Sequence, residues 1–235
     1  MTTMFAAAPG SDRDSVRLHA LGPQDLDRLE ALHRLSMGPV PRPEVVKPER
    51  RDFFVGILGG RGRAWGVFDG EETGEELVAY GILQHAILPD DDPRSSLGVA
   101  PTVRLAKLAG AGVAPGWRGR GLQRLLIARR IAEAGAAELL FSTAAPLNAP
   151  SWCNLIHEGF AIRALVTRYG GLTRYLLTRE RAPVPTIATR VLAPGDHEGQ
   201  RALLAAGWRG VGIAELDGAP AIGYAPPAVD AWGGP

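Results

Sequence analysis

The stretch Pro115-Gly116-Trp117-Arg118-Gly119-Arg120-Gly121-Leu122-Gln123 sets glycines and arginines side by side, between an apolar run and a run of helical periodicity. Backbone N–H groups at a helix start lack internal partners and sit at the positive end of the helix dipole, so a glycine-relieved turn there can wrap a pyrophosphate. Gly119 and Gly121 permit the close approach, and the guanidinium forks of Arg118 and Arg120 suit phosphate oxygens. A solvated turn has the same composition, and residue spacing alone leaves both readings open. The run has no Gly-Lys-Ser/Thr for a nucleotide-triphosphate loop. Gly110-x-Gly112 leads into Pro115 without the spacing of a dinucleotide fingerprint. Cys153 and His157 lie four apart, but metal sites need further ligands and a single helical cysteine serves most often as a small hydrophobe, so no metal is expected.

The elements that must position this turn can be read from periodicity. Val16 to Leu21 alternates like a strand, and Leu26, Leu29, Leu32 and Leu35 recur at helical spacing. Met37 to Pro43 is a break, and Glu44 to Leu58 predicts a second helix stopped by Gly59-Gly60. Ala64 to Phe68 and Leu77 to Leu88 predict a hairpin around Asp69 to Glu75, and Asp90 to Ser96 a polar loop. Val103 to Val113 predicts a strand, Gly119 to Gly135 a helix packed on a sheet, and Leu139 to Thr143 a buried central strand. A helix over Pro150 to Glu158 and strands over Phe160 to Tyr169 and Leu172 to Thr178 complete a mixed sheet with helices on both faces.

Beyond a proline-bearing linker at 181–186, a strand over Ile187 to Leu192, a helix over Glu198 to Ala206 and a hairpin at Asp217-Gly218 form a small C-terminal α/β appendage, 187–226. Gly207-Trp208 echoes Gly159-Phe160 and raises a partial internal repeat. Residues 1–12 read as a leader and 227–235 as a tail.

The chain has 235 residues, a net charge of +1 and one cysteine. That balance argues against nucleic acid as partner, although Arg118, Arg120, Arg124, Arg129 and Arg130 form a local basic set. With no pairing possible for Cys153, a reducing, cytoplasmic setting is expected. No apolar run is long enough for a membrane span. A homodimer stays open.

The stretch Val113-x-Pro115-x-x-Arg118-Gly119-Arg120-Gly121-Leu122-Gln123 resembles the signature by which GNAT-superfamily N-acyltransferases hold coenzyme A. Asn148-Ala149-Pro150-Ser151, leading to Gly159-Phe160, looks like the family's asparagine-initiated helix ending in Gly-Phe. The resemblance spans about residues 14–180, by motif from 108 onward and by element order before that. It implies an α+β fold, with a mixed, mostly antiparallel sheet in residues 13–180, and acetyl-CoA or another acyl-CoA as cofactor. The strand ending at Val113 should splay from Leu139–Thr143 through a bulge near Gly110 to Gly112. The pantetheine arm would then lie on Ala111 and Val113 as an added strand. Arg118, Gly119, Arg120, Gly121, Leu122 and Gln123 would hold the pyrophosphate, and Asn148 and Ser151 the pantetheine or adenosine.

By the same resemblance the reaction is transfer of an acetyl group to a small-molecule or protein amine by direct attack in a ternary complex. Three departures stand out. Gln123 replaces Gly or Ala, Leu155 replaces the tyrosine that protonates the thiolate, and Lys107 replaces a base glutamate. The remaining candidates for catalytic proton transfer are His85 and Tyr169, each of which also reads as an ordinary strand residue. The missing acid and base keep open a non-catalytic acyl-CoA sensor or interaction module.

Overall fold

The computed structural model describes residues 16–40, 42–70, 75–180 and 187–227. The leader, the linker over 181–186 and, apart from Pro227, the tail lie outside them. The alternating and aliphatic runs form β1 (Arg17–Leu21), β2 (Gly62–Asp69), β3 (Glu76–Gln84), β4 (Leu105–Val113), β5 (Leu139–Ala144), β6 (Ala161–Arg168), β7 (Leu172–Glu180), β8 (Arg190–Leu192), β9 (Arg209–Leu216) and β10 (Ala219–Ala225). They make one sheet in the order β1-β2-β3-β4-β5-β7-β6-β9-β10-β8, antiparallel except for the parallel pair β4–β5. The helices are α1 (Leu26–Met37), α2 (Arg51–Gly56), α3 (Arg94–Leu97), α4 (Leu122–Ala132), α5 (Ala149–His157) and α6 (His197–Ala205).

β3 is buried everywhere except Glu76, as a strand covered on both faces must be. On one face, Leu29 and Leu32 of α1 and Phe54 of α2 meet Phe68, Tyr80 and Ile82. On the other, Leu122, Leu126 and Ile127 of α4 and Trp152 and Leu155 of α5 meet Val67, Leu83, Leu108 and Leu140. Each such burial contributes roughly 1.5–3 kcal/mol, so the two apolar faces fix both helical layers on the sheet.

The helix expected over Glu44–Leu58 forms only in its second half. Pro48 disfavours helical backbone at Lys47 and supplies no amide donor, so 42–46 makes a turn, with the Val45 and Val46 amides both on Arg42 O. α2 begins at Arg51 and continues as a wider π turn, Ile57–Arg61. β3 also stops short of Leu88, because the amides of His85 and Ala86 both turn to Arg61 O.

The C-terminal segment continues the sheet rather than standing apart from it. Ile222 and Tyr224 are fully buried in the cluster that holds Phe160, Ile162 and Tyr175. Tyr224 donates to Gln200 Oε1 at 2.8 Å, and the Gln200 amide donates to Ala193 O and Pro194 O, so this buried polar pair is satisfied.

The repeat is structural and longer than the Gly-aromatic echo. α5 spans Ala149–His157 and α6 spans His197–Ala205, each position 48 residues on. Asn148 and Asp196 cap these helices through the amide three residues later. Gly159 and Gly207 end the following turns at φ 83° and 85°, bonded to Ile156 O and Leu204 O respectively. Thus β5-α5-β6-β7 corresponds to β8-α6-β9-β10. The sheet order β5-β7-β6 followed by β9-β10-β8 is that unit and its reverse, with β6 and β9 antiparallel at the join. Among the described residues the second unit has no counterpart of β4, the 115–121 turn or α4.

Candidate functional site

β4 and β5 pair only at Leu105↔Leu139, Ala106↔Leu140 and Lys107↔Phe141. Beyond that point β5 remains with β7 and β4 with β3, so the sheet parts. Gly81 pairs with Ala111 and Leu83 with Leu108, leaving Ala109 and Gly110 opposite Ile82 alone. This is a bulge, centred just before the expected 110–112, and it bends β4 away from its parallel neighbour. The wholly buried Arg130 holds it. Nε donates to Leu126 O at 3.0 Å, and Nη1 reaches Ile82 O at 3.3 Å and Ala109 O at 3.5 Å. Gly81 leaves room for this guanidinium, since a Cβ there would stand 3.0 Å from Arg130 Nε. Burial lowers the Arg130 pKa to about 10 against the opposing pull of Tyr80. Across the gap, Ser142 Oγ donates to Leu108 O at 2.8 Å.

The Ala114 amide bonds Val78 O at 2.8 Å. Because ladder groups alternate, Gly112 and Ala114 face β3, while Ala111 and Val113 turn N–H and C=O toward the gap. A cavity of about 950 Å³ opens there. Lys107 and Val113 lie six residues apart along β4, about 20 Å at 3.3 Å per residue, so the cavity has two chemically distinct ends.

The end beyond Val113 is the glycine-arginine turn. Pro115–Trp117 forms a short 3-10 turn, and Gly119 and Gly121 take φ values of 78° and 77°, a left-handed backbone that side-chain-bearing residues adopt at a cost. α4 opens without a side-chain cap, and the first amide bonding back to its start is that of Leu125, on Gly121 O. Residues 118–121 are exposed. Arg118 donates to Ser36 O at 2.7 Å, and Arg120 stacks on Trp117 at 4.4 Å.

The other end is a set of charged and polar side chains brought together from distant segments. Lys107, nearly buried, donates to Asp91 at 2.8 Å and to the Tyr169 hydroxyl at 3.2 Å. Burial pulls the Lys107 ammonium down, but Tyr169 and Asp91 outweigh it and its pKa ends above the ordinary lysine value. The Tyr169 hydroxyl also lies 3.0 Å from Thr143 Oγ1. Lys47, Lys107 and Arg174 all approach the Tyr169 ring, at 4.8, 5.6 and 5.8 Å. Lys47 also pairs with Glu49 at 3.0 Å. The Glu49 amide donates to His33 Nε2 at 2.9 Å, which makes the other ring nitrogen, 2.7 Å from the Tyr80 hydroxyl, the protonated one in neutral His33. Burial, followed by Arg34, lowers the His33 pKa to about 4.

Of the residues expected at the site, Ala111, Val113, Arg118, Gly119, Gly121, Leu122, Gln123, Asn148, Ser151 and Tyr169 line the cavity. The remaining two stand apart from it. Arg120 is turned onto Trp117, and His85 is exposed on the bend after β3, where the redirected ladder carries it away from the gap. Asn148 accepts from the Ser151 amide as helix cap and donates to Val45 O at 3.4 Å. Gln123 accepts from Asn154 at 2.9 Å and ties α4 to α5. Leu155 is buried core. Burial pushes the half-buried Cys153 thiol up. Among the described residues no group of three His, Cys, Asp or Glu could hold a metal, and no helix is long and apolar enough to cross a membrane.

No family model matches the sequence, and no curated protein is similar to it in sequence. Solved structures are similar. NAA60 of Arabidopsis thaliana in complex with acetyl-CoA matches at 19% identity and a TM-score of 0.54, over 70% of this chain and 97% of that one. A chain of the NatC complex bound to Gag peptide and CoA matches at 12% and 0.54, over 72% and 99%. A putative acetyltransferase of the GNAT family from Desulfovibrio desulfuricans matches at 21% and 0.51, over 72% and 100%. The chain has the GNAT fold. These GNAT neighbours are matched over nearly their whole length while leaving more than a quarter of this chain uncovered.

The His33 bridge titrates. Its folded pKa lies below the free value of 6.5, so the unfolded chain binds the extra proton and stability falls as pH drops from about 6.5 to 4. Denaturant unfolding is expected to give roughly 2 kcal/mol less stability at about pH 5 than at pH 7 from this group. His33→Asn should flatten that slope, and an identical slope in the variant would contradict the assignment.

Proposed function

We propose that this chain binds acetyl-CoA, or a related acyl-CoA, and transfers the acyl group to the amine of a small molecule or a protein. The observation that carries this reading is the gap itself: backbone N–H and C=O groups of Ala111 and Val113 face an open cleft that leads straight to an exposed helix start. An extended amide-bearing arm satisfies those groups as an added strand would, and a diphosphate at its far end meets the amides of Gly119 to Gln123. Arg118 is placed to add charge, with Arg120 beside it once it leaves Trp117. Asn148 and Ser151 border the arm from α5. Neighbours of the same fold crystallised with acetyl-CoA, CoA or a bisubstrate analogue support the choice of cofactor.

The thioester end then falls near the β4 bulge, and a neutral amine attacks its carbonyl carbon directly. Holding two reactants in line contributes several kcal/mol of the barrier without any covalent intermediate. Tyr169, which lines the cavity, is the candidate donor to the departing thiolate; His85, exposed on the bend after β3, does not line it. Leu155 and Lys107, at the two positions where acid and base were expected, favour a second reading in which acyl-CoA is bound but not consumed. Thiol release from acetyl-CoA across a panel of amines separates them: release supports transfer, and tight cofactor binding with no release on any amine supports the sensor.

Gly121→Val places a branched side chain on a left-handed backbone at the helix start. Calorimetric titration is expected to show acetyl-CoA affinity weakened at least about tenfold, or about 1.4 kcal/mol. Unchanged affinity in a folded variant would contradict the phosphate role of the turn.

A further inference from the structure

Attack by an amine needs somewhere for a proton to go, and the residue at the expected base position is Lys107, a cation. Among the described residues lining the cavity, the carboxylates are Glu49 and Asp91. Asp91 is held at 2.8 Å by the nearly buried Lys107, which is also bonded to Tyr169. His33 has both ring nitrogens engaged. Glu49 differs from both. Its partner Lys47 is far more exposed than Lys107, with side-chain exposures of 38% and 8%. Its backbone is pinned by His33, which in turn holds Tyr80. Tyr80 stands over the bulge: a Cβ on Gly110 would lie 3.8 Å from its hydroxyl, and one on Gly112 would lie 2.6 Å from its ring. Glu49 is therefore tied, through two hydrogen bonds, to the part of β4 where the thioester would lie.

We propose that Glu49 accepts the proton of the attacking amine; this rests on the transferase reading above. The amine nitrogen forms a bond to the acyl carbon, the C–S bond breaks with its electron pair going to sulfur, and one N–H proton passes to a Glu49 carboxylate oxygen. The thiolate takes the proton of the Tyr169 hydroxyl, Tyr169 regains one from solvent, and Glu49 returns its own to solvent. Burial raises the Glu49 pKa, with Lys47 opposing, which suits a carboxylate that must bind a proton in the cycle. His33 and Tyr80 act as positioning residues.

The test uses the full chain, acetyl-CoA and an amine from the panel whose own protonation lies below the assay range. Glu49→Gln is expected to lower kcat at least about 100-fold, to abolish the acid limb of the pH profile and to leave acetyl-CoA affinity within about twofold, with Glu49→Asp intermediate. Should Glu49→Gln fail to fold, Lys47→Met removes the opposing cation and is expected to move the acid limb to higher pH. An active wild type whose Glu49→Gln variant keeps both rate and acid limb, or a Lys47→Met limb that does not move, overturns the role of Glu49 alone. A wild type that binds acetyl-CoA but acetylates nothing overturns the transferase reading with it.

A separate observation, the reversed repeat, carries a second proposal. We infer that β9 occupies on β6 the place that β6 of a second copy would take, so the chain is its own half-dimer and this edge is closed to self-association. The two equivalent strands meet antiparallel, as two-fold-related strands of a homodimer would. Light scattering is expected to give a monomer near 24.9 kDa from micromolar to near-millimolar concentration. Gly210 packs against Ile162, a Cβ there lying 3.0 Å from the Ile162 Cβ, so Gly210→Val should loosen the join and yield a concentration-dependent dimer. A wild-type dimer whose cross-links run through β6 overturns the proposal.

Discussion

A parallel strand pair that stops after three positions leaves backbone donors and acceptors facing open space, and such groups demand partners. At this site the parting is held open by the bulge at Ala109-Gly110, which turns β4 away, by Arg130 gripping the carbonyls on both sides of it, and by Ser142 closing the last shared rung. A fully buried guanidinium is costly unless its donors find partners; here Nε and Nη1 meet carbonyl oxygens, and Gly81 supplies the space. The acceptors that offset that burial, Ile82 O and Ala109 O, are the carbonyls at the bulge, which couples the core packing of α4 to the shape of the cleft.

The two ends of the gap use opposite physics. The glycine-arginine turn has fixed helix-start dipoles and solvent-exposed cations, and its amides need no reorganisation to meet an anion. At the other end, Lys107, Asp91, Lys47, Glu49 and Tyr169 sit close together, where Tyr169 and Asp91 hold the Lys107 ammonium charged against its burial and Lys47 opposes the upward pull of burial on Glu49.

How much of this could be read from residue order follows from where the signals lie. The glycine-arginine turn was legible because its glycines, arginines and helix start are contiguous, and so was the bulge to within a residue. His33, Glu49 and Tyr80 went unnoticed as a set, since they come from α1, the segment before α2 and β3, and only tertiary packing joins them. Their signal was masked locally as well: reading Glu44 to Leu58 as one helix hid Pro48, the residue that frees 42–50 to line the cavity. His85 lies on an apolar run in the sequence, but the ladder turns at Arg61 and carries it outside. The repeat surfaced in sequence only as Gly-Phe and Gly-Trp, because caps and turns preserved its geometry while the helix faces diverged.

Hydrogen–deuterium exchange of the full chain with and without saturating acetyl-CoA tests the central claim most directly, because it reads the backbone groups of the gap themselves. Amides of Ala111 and Val113 on β4 and of residues 119–123 at the start of α4 are expected to slow together on adding the cofactor, while amides of the second unit, in α6 and β8, stay unchanged. Binding that slows neither segment would contradict a cofactor arm lying along β4 with its diphosphate on that helix.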